Sequence, residues 1–248
     1  MRPFLFSLIV LIGFVPSVPA ERSQDKPFVV IELFSSEGCS SCPPADQLVS
    51  QLTAWARRNH QLVYPLIFHV DYWNNLGWTD AFSKPEFTQR QYHYARIFQD
   101  QGVYTPQMIV NGSDAFVGAD QEHLQNDMNQ ELTKPTSVLL NISYKKHNSR
   151  IIVSYNVTGF ADHDVVNIAL LERGLSSQVT AGENAGRTLH HDNVVRQFQT
   201  QPLSEGSMQA TVPLNNTSDL SQSSVIVYVQ DPQTMKIKAA KQMDLSNG

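Results

Sequence analysis

Phe28-Val-Val-Ile-Glu-Leu-Phe-Ser-Ser-Glu-Gly-Cys-Ser-Ser-Cys-Pro-Pro-Ala-Asp46 is the stretch from which the rest of the chain can be read. Its first seven residues are a near-continuous apolar run, the pattern of a strand covered on both faces. Ser35 to Gly38 is turn material. Beyond the prolines, Ala45, Leu48, Val49, Leu52 and Trp55 or Ala56 recur at i, i+3, i+4 spacing, the apolar stripe of a helix. Pro43 and Pro44 suit a first helical turn, where a missing N–H costs little. The order strand, turn, C-x-x-C, helix puts Cys39 at or just before a helix N-terminus, where free backbone N–H groups and the helix dipole favour an anion. An ordinary cysteine, pKa ~8.5, is only about 3% thiolate at pH 7, whereas one lowered to roughly 6 is about 90% thiolate. Cys39 is therefore expected to be a reachable attacking thiol, and Cys42, one turn further in, to resolve the mixed disulfide.

The chain has 248 residues, 41% of them apolar and 17% charged, enough apolar content for a packed core and too much for wholesale disorder. Its formal net charge is −5 and it has no dense basic run, which excludes a nucleic-acid groove. Cys39 and Cys42 are its two cysteines, so neither a disulfide-laced scaffold nor a four-thiolate zinc site is available. Two bland readings of the pair stand beside the redox one. As a structural staple it closes a four-residue loop, for which chain entropy gives roughly 2 kcal/mol against about 4.7 for a 100-residue loop. As a metal site it needs further ligands, and His60, His69 and His93 lie apart from it in sequence.

Met1 to Ala20 reads as a secretory signal peptide: Arg2 as the basic start, Phe4 to Val15 as the apolar run, and Val18-Pro19-Ala20 as the small-residue cleavage site. The run falls short of the ~20 residues of a membrane anchor. The expected mature chain is periplasmic or secreted, in a compartment that oxidises thiols, with no stable membrane insertion after cleavage.

Two halves follow. In the first, residues 27–133, a second buried strand is expected over Leu62 to Val70. Ser83-Lys-Pro-Glu86 looks like a capping box opening a helix with Phe87, Tyr94, Ile97 and Phe98 on its apolar side. Gln107–Val110 and Ala115–Val117 read as short strands around an Asn111-Gly112 turn, and Asp120 as the cap of a last helix with Leu124, Met128 and Leu132 on one stripe. Lys134-Pro135-Thr136 is the expected boundary. In the second half, residues 136–245, the apolar period becomes two, as at Ile151, Val153, Tyr155 and Val157 and at Val225, Val227 and Val229. A final strand is expected over Met235 to Ala239. About seven short strands argue an antiparallel β-sandwich domain.

Tyr104-Thr105-Pro106-Gln107 leads straight into a strand, the setting of a cis-proline loop, whose preceding residue can offer backbone groups to an extended chain. The order of elements, with C-x-x-C and Thr-Pro, resembles the thioredoxin fold. More specifically, the chain resembles a domain-of-unknown-function family of secreted thioredoxin-like bacterial proteins. The matching motifs are Val30 to Asp46, His69-Val-Asp-Tyr-Trp73, Leu76-Gly-Trp78, Tyr104-Thr-Pro-Gln107, Gly182-Glu-Asn-Ala-Gly186 and Leu189-His-His-Asp-Asn-Val-Val-Arg196. The resemblance implies an α/β thioredoxin-like domain with Cys39 as attacking thiol, Cys42 as resolving thiol and Pro106 as the substrate-side loop. Ser40-Ser41 replaces the Gly-Pro of well-studied thioredoxins, and Glu37 is a nearby charge that opposes a thiolate.

Further candidates are Glu32, a charge inside an apolar strand that could relay a proton for Cys42, and Asp71, Tyr72, Trp73 and Trp78, which could rim a substrate groove. Glu183, Asn184, Arg187, His190 and His191 could line a pocket with the first half or brace the interface between the halves. The reading is thiol–disulfide exchange with protein or small-molecule thiols and disulfides, without an organic cofactor or resident metal. A non-catalytic binding module with an inert disulfide and a copper-handling protein are the alternatives.

Overall fold

The computed structural model describes residues 26–245 apart from Asn216 and Ser218; the expected leader, Met1–Ala20, lies outside them. The first half alternates as expected. Strand β1 (Val29–Ser35) leads into helix α1 (Pro43–Arg58), β2 (Val63–His69) and helix α2 (Pro85–Phe98). The hairpin β3 (Gln107–Val110) and β4 (Asp114–Val117) and helix α3 (Gln121–Glu131) follow. Asn111 and Gly112 both take positive φ, 45° and 64°, as a tight two-strand turn requires. Asp120 caps α3, its side chain accepting from the His123 N–H. The capping box at Ser83 is not made. Lys84 is the N-cap without a side-chain bond, because Ser83 Oγ is occupied with the Asp80 carbonyl and the Asn74 amide.

The second half supplies β5 (Leu139–His147), β6 (Arg150–Thr158), β7 (Val165–Glu172), β8 (Leu175–Gln178) and β9 (Thr188–His191). It continues with β10 (Val194–Pro202), β11 (Ser207–Pro213), β12 (Ser223–Gln230) and β13 (Ile237–Asp244). The last strand starts two residues later than expected, because Met235 sits in the preceding turn at φ 63°.

One mixed sheet of eight strands runs through both halves in the order β13-β12-β7-β10-β2-β1-β3-β4. Strands β1 and β2 are parallel, β3 is antiparallel to β1, and β10 joins the free edge of β2 in parallel. The large sheet therefore crosses the boundary at Lys134–Thr136, and one of the apolar clusters crosses it too. A single apolar cluster takes Val30, Phe34, Phe68, Phe87 and Tyr94 from the first half and Leu171, Val195, Ile226 and Tyr228 from the second. This cluster lies on the α2 face of the sheet. On the other face Ile31, Leu33 and Ile67 pack against Ala45 and Val49 of α1 and Leu124 and Met128 of α3. The three-stranded antiparallel sheet β11-β6-β5 covers the outer strands of the large sheet through Leu140, Val153, Ile168, Leu170, Val225 and Val227. The period-two pattern of these strands is thus explained by a two-layer antiparallel packing. Among the described residues, strands β8 and β9 pair only with each other, and β9 packs on α1.

Candidate functional site

The site lies where β1 ends and α1 begins. Cys39 and Cys42 are joined as a disulfide, with Cα atoms 5.5 Å apart, and Cys42 is the N-cap of α1. Both cysteines have 0% exposure. The reachable Cys39 expected from the sequence is therefore absent from this state of the molecule. The second half binds the backbone around the pair: in the loop before β9, Asn184 Nδ2 donates to the carbonyls of Glu37 and Cys39, both at 2.9 Å. The carboxylate of Glu183 accepts from the Ser40 N–H at 2.9 Å. Arg187 steadies the cover by donating to Asn184 Oδ1 at 2.7 Å. Cys39 Sγ itself meets the Ser41 hydroxyl at 3.3 Å.

The Trp-rich segment closes another side. A Cβ on Gly38 would sit 2.9 Å from Trp73 Cβ, so glycine is needed there for the Trp73 segment to approach the cysteine loop. Trp73 Nε1 donates to Thr105 Oγ1 at 2.8 Å, and the Thr105–Pro106 peptide is cis. Pro106 reaches α1 through Gly118, where an added Cβ would lie 2.9 Å from Pro106 Cβ and 3.2 Å from Ala45 Cβ. The structure thus gathers Cys39, Cys42, Trp73, Thr105 and Pro106 at one end of the sheet. Trp78 joins them by donating to Glu37 Oε2 at 2.8 Å. Asp71 and Tyr72 turn away toward α2, bonding Thr88 and Gln91.

Glu32 corrects an expectation. Alternation along β1 points it to the α2 face with Val30 and Phe34, whereas α1, which begins at the cysteines, packs on the opposite face. Its two oxygens are held by Arg90 at 2.7 and 2.9 Å, and the Tyr228 hydroxyl donates to it at 2.6 Å. It braces the halves together from the face of the sheet opposite α1.

A different set of buried ionisable groups surrounds the cysteine loop. His191, at the end of β9, is 1% exposed and lies between two carboxylates. Its Nε2 is 3.1 Å from Glu37 Oε1 and its Nδ1 3.5 Å from Asp46 Oδ2. Burial alone lowers an imidazole; the Asp46 and Glu37 carboxylates on either side outweigh it and hold His191 at about 9. Asp46 also accepts from Ser35 Oγ at 2.7 Å. His69 stacks edge-on against His191, with centroids 5.0 Å apart, and bonds Asp80 Oδ2 at 2.7 Å. Burial raises the Asp80 carboxyl, but the His69 charge and hydrogen bond, with backbone N–H donors of Glu37 and Phe82, bring it below the usual carboxylate range. His190, next to His191, alternates out to solvent.

The sequence offers no site role for Asp46 or Asp80, and it brings up His69 only as a metal ligand remote from the cysteines. Asp46 left one trace there: an acid next to Ala45 and three residues before Val49, on the helix stripe that is otherwise apolar. Among the described residues, side chains close enough together to share a metal ion are Asp114/His123/Asp127 and His163/Asp164/Asp231, and neither group includes a cysteine.

The molecule is an α/β protein with a large mixed sheet, antiparallel sheets and a buried C-x-x-C disulfide at a helix start. The chain belongs to the family described as proteins of unknown function, DUF1223, whose model matches residues 30–230. Among solved structures it is similar to protein AGR_C_4864 from Agrobacterium tumefaciens, at 28% identity and TM-score 0.67, covering 91% of this chain and 98% of that one. A domain of the outer membrane lipoprotein Omp28 from Porphyromonas gingivalis aligns at 13% identity and TM-score 0.29, over 44% of this chain and 88% of that domain. No curated protein matches the chain. No helix among the described residues is long and apolar enough to cross a membrane.

Proposed function

We propose that the chain is an exported, thioredoxin-like protein whose Cys39–Cys42 pair is a redox centre for thiol–disulfide exchange, working beneath a cover lent by the second half. The observation that carries the reading is the position of the disulfide: the chain's two cysteines, three residues apart, at the first turn of α1 and beside Trp73, Thr105 and Pro106. Supporting it are the order β2-β1-β3-β4 with β3 antiparallel, and α1 and α3 on one face with α2 on the other. The leader read from the sequence supports export. The partner is a protein or small molecule bearing a thiol or disulfide, and it must displace the Glu183–Asn184 cover. That loop is flanked by Gly182 at φ 76° and Gly186 at φ 84°, conformations that only glycine takes freely.

The test is trapping. In the exporting host, Cys42→Ser should accumulate mixed disulfides through Cys39, while Cys39→Ser should not. Asn184→Ala, which frees two carbonyls of the cysteine loop, should speed reduction of the folded protein by dithiothreitol. The complete burial of both cysteines favours a second reading, a binding module with a permanently closed disulfide. Under that reading neither serine variant traps a partner, and Asn184→Ala leaves the disulfide as resistant as before.

A further inference from the structure

Glu37 and Asp46 bracket the disulfide, two residues before Cys39 and four after Cys42, and both are buried. Two carboxylates in such a place oppose any negative charge on sulfur. The dipole at the start of α1 is a partial charge and cannot offset both. The missing cation comes from far along the sequence, where β9 inserts His191 between them. Its buried Nδ1 has no hydrogen-bond partner, although Asp46 lies 3.5 Å away, so the ring is not locked into a closed set of bonds. The groups facing it are Glu37 from the turn after β1, Asp46 from α1, His69 from β2 and the Phe82 ring, with Asp80 behind His69 and Arg196 over Phe82.

We infer that His191 is the positioning residue of the redox centre: its imidazolium, held between Glu37 and Asp46, offsets the two carboxylates and so permits a thiolate at the Cys39–Cys42 pair. The inference rests on the redox reading above. Reduction by a dithiol breaks the Cys39–Cys42 bond, joins one dithiol sulfur to one cysteine and releases the other cysteine as a thiolate. The second dithiol sulfur then displaces the bound cysteine, and the dithiol leaves as its own disulfide. The two protons given up by the dithiol match the two taken up when both cysteines end as thiols. His191 supports the charge on the released thiolate while these bonds exchange. A strand of the second half, β9, is thereby an electrostatic part of the first half's chemistry.

The test uses the intact protein with dithiothreitol as the reductant. Iodoacetamide alkylation of the reduced protein is followed against pH, beside the midpoint potential of the pair. His191→Gln should move the alkylation profile to higher pH, slowing alkylation at pH 7 by about tenfold for each unit moved. It should also shift the potential to more negative values. Glu37→Gln added to His191→Gln should return part of both changes. A measurement on the wild type needs no folded variant: the His191 imidazole, titrated by NMR, should hold its proton to higher pH in the reduced protein than in the oxidised one, since coupling between two sites is reciprocal. If His191 titrates identically in both states, or if folded His191→Gln changes melting temperature but neither profile nor potential, the inference falls and the redox reading stands. If dithiothreitol cannot open the disulfide of the folded wild type, the redox reading falls and takes the inference with it.

Discussion

Two buried charge clusters tie the halves of this molecule together, and they are built differently. On the α2 face, Arg90 is surrounded by Glu32, Tyr94, Tyr228 and Gln230, all bonded to it, with the rings of Phe68 and Phe198 alongside. Among the described residues no buried side-chain atom of these five polar groups lacks a partner. At the cysteine end, His69 Nε2 and His191 Nδ1 are buried without a hydrogen-bond partner, among three carboxylates. A saturated network in low dielectric is a rigid brace, since any change leaves a buried charge alone. An unsaturated one beside a disulfide has room to respond when the sulfur changes its charge. The difference marks the first cluster as a brace and the second as the one with unsatisfied ring nitrogens next to the cysteine loop.

The largest expected effect breaks the brace. Arg90→Ala leaves Glu32 buried and unpaired and should cost about 3–5 kcal/mol in denaturant unfolding. Cysteine alkylation in Glu32→Gln should keep its wild-type pH profile; a displaced profile would restore Glu32 to a relay role. Next comes the pH dependence of the second cluster. His191 has a folded pKa of about 9 against 6.5 for a free imidazole, so its stabilisation is complete below pH 6.5 and is lost as pH rises toward 9. The loss should reach roughly 3 kcal/mol, read as a falling denaturation midpoint, and His191→Gln should flatten it. Asp80 has the opposite sign: its carboxyl is lowered from 3.8, so its share is present above that pH and is lost in acid.

Smaller effects sharpen the outline of the site. Gly118→Ala places a methyl 2.8 Å from Leu33 Cδ1 and 2.9 Å from Pro106 Cβ, and Gly38→Ala one 2.9 Å from Trp73 Cβ. Each should destabilise by about 1–3 kcal/mol, the usual cost of overpacking. The smallest change is expected at Arg57–Asp244, an ion pair 45% and 49% exposed. Asp244→Asn should alter unfolding free energy by less than about 1 kcal/mol and weaken further in salt.

Much of this was legible in the chain itself. The apolar run of β1, the stripe of α1, the Asn111-Gly112 hairpin and the Asp120 cap are encoded by residues within a few positions of one another, and local backbone chemistry suffices to read them. The same holds for the cysteines at the strand–helix junction and the proline before β3. The spacing allows either Trp55 or Ala56 on the α1 stripe; Ala56 is buried and Trp55 is 37% exposed.

What the sequence by itself determined is therefore the set of elements and the place of the cysteine pair at the start of α1. Only the tertiary structure decided where the second half goes: β10 against β2, Asn184 over Cys39, and His191 between Glu37 and Asp46. It also decided which face of β1 carries Glu32. The physical reason is that an apolar run buried on both sides does not reveal which face meets which helix. A contact between residues 154 positions apart leaves no period or spacing to read. Those pairings are selected by the burial of whole surfaces, and they settle whether a cysteine at a helix start is open or covered.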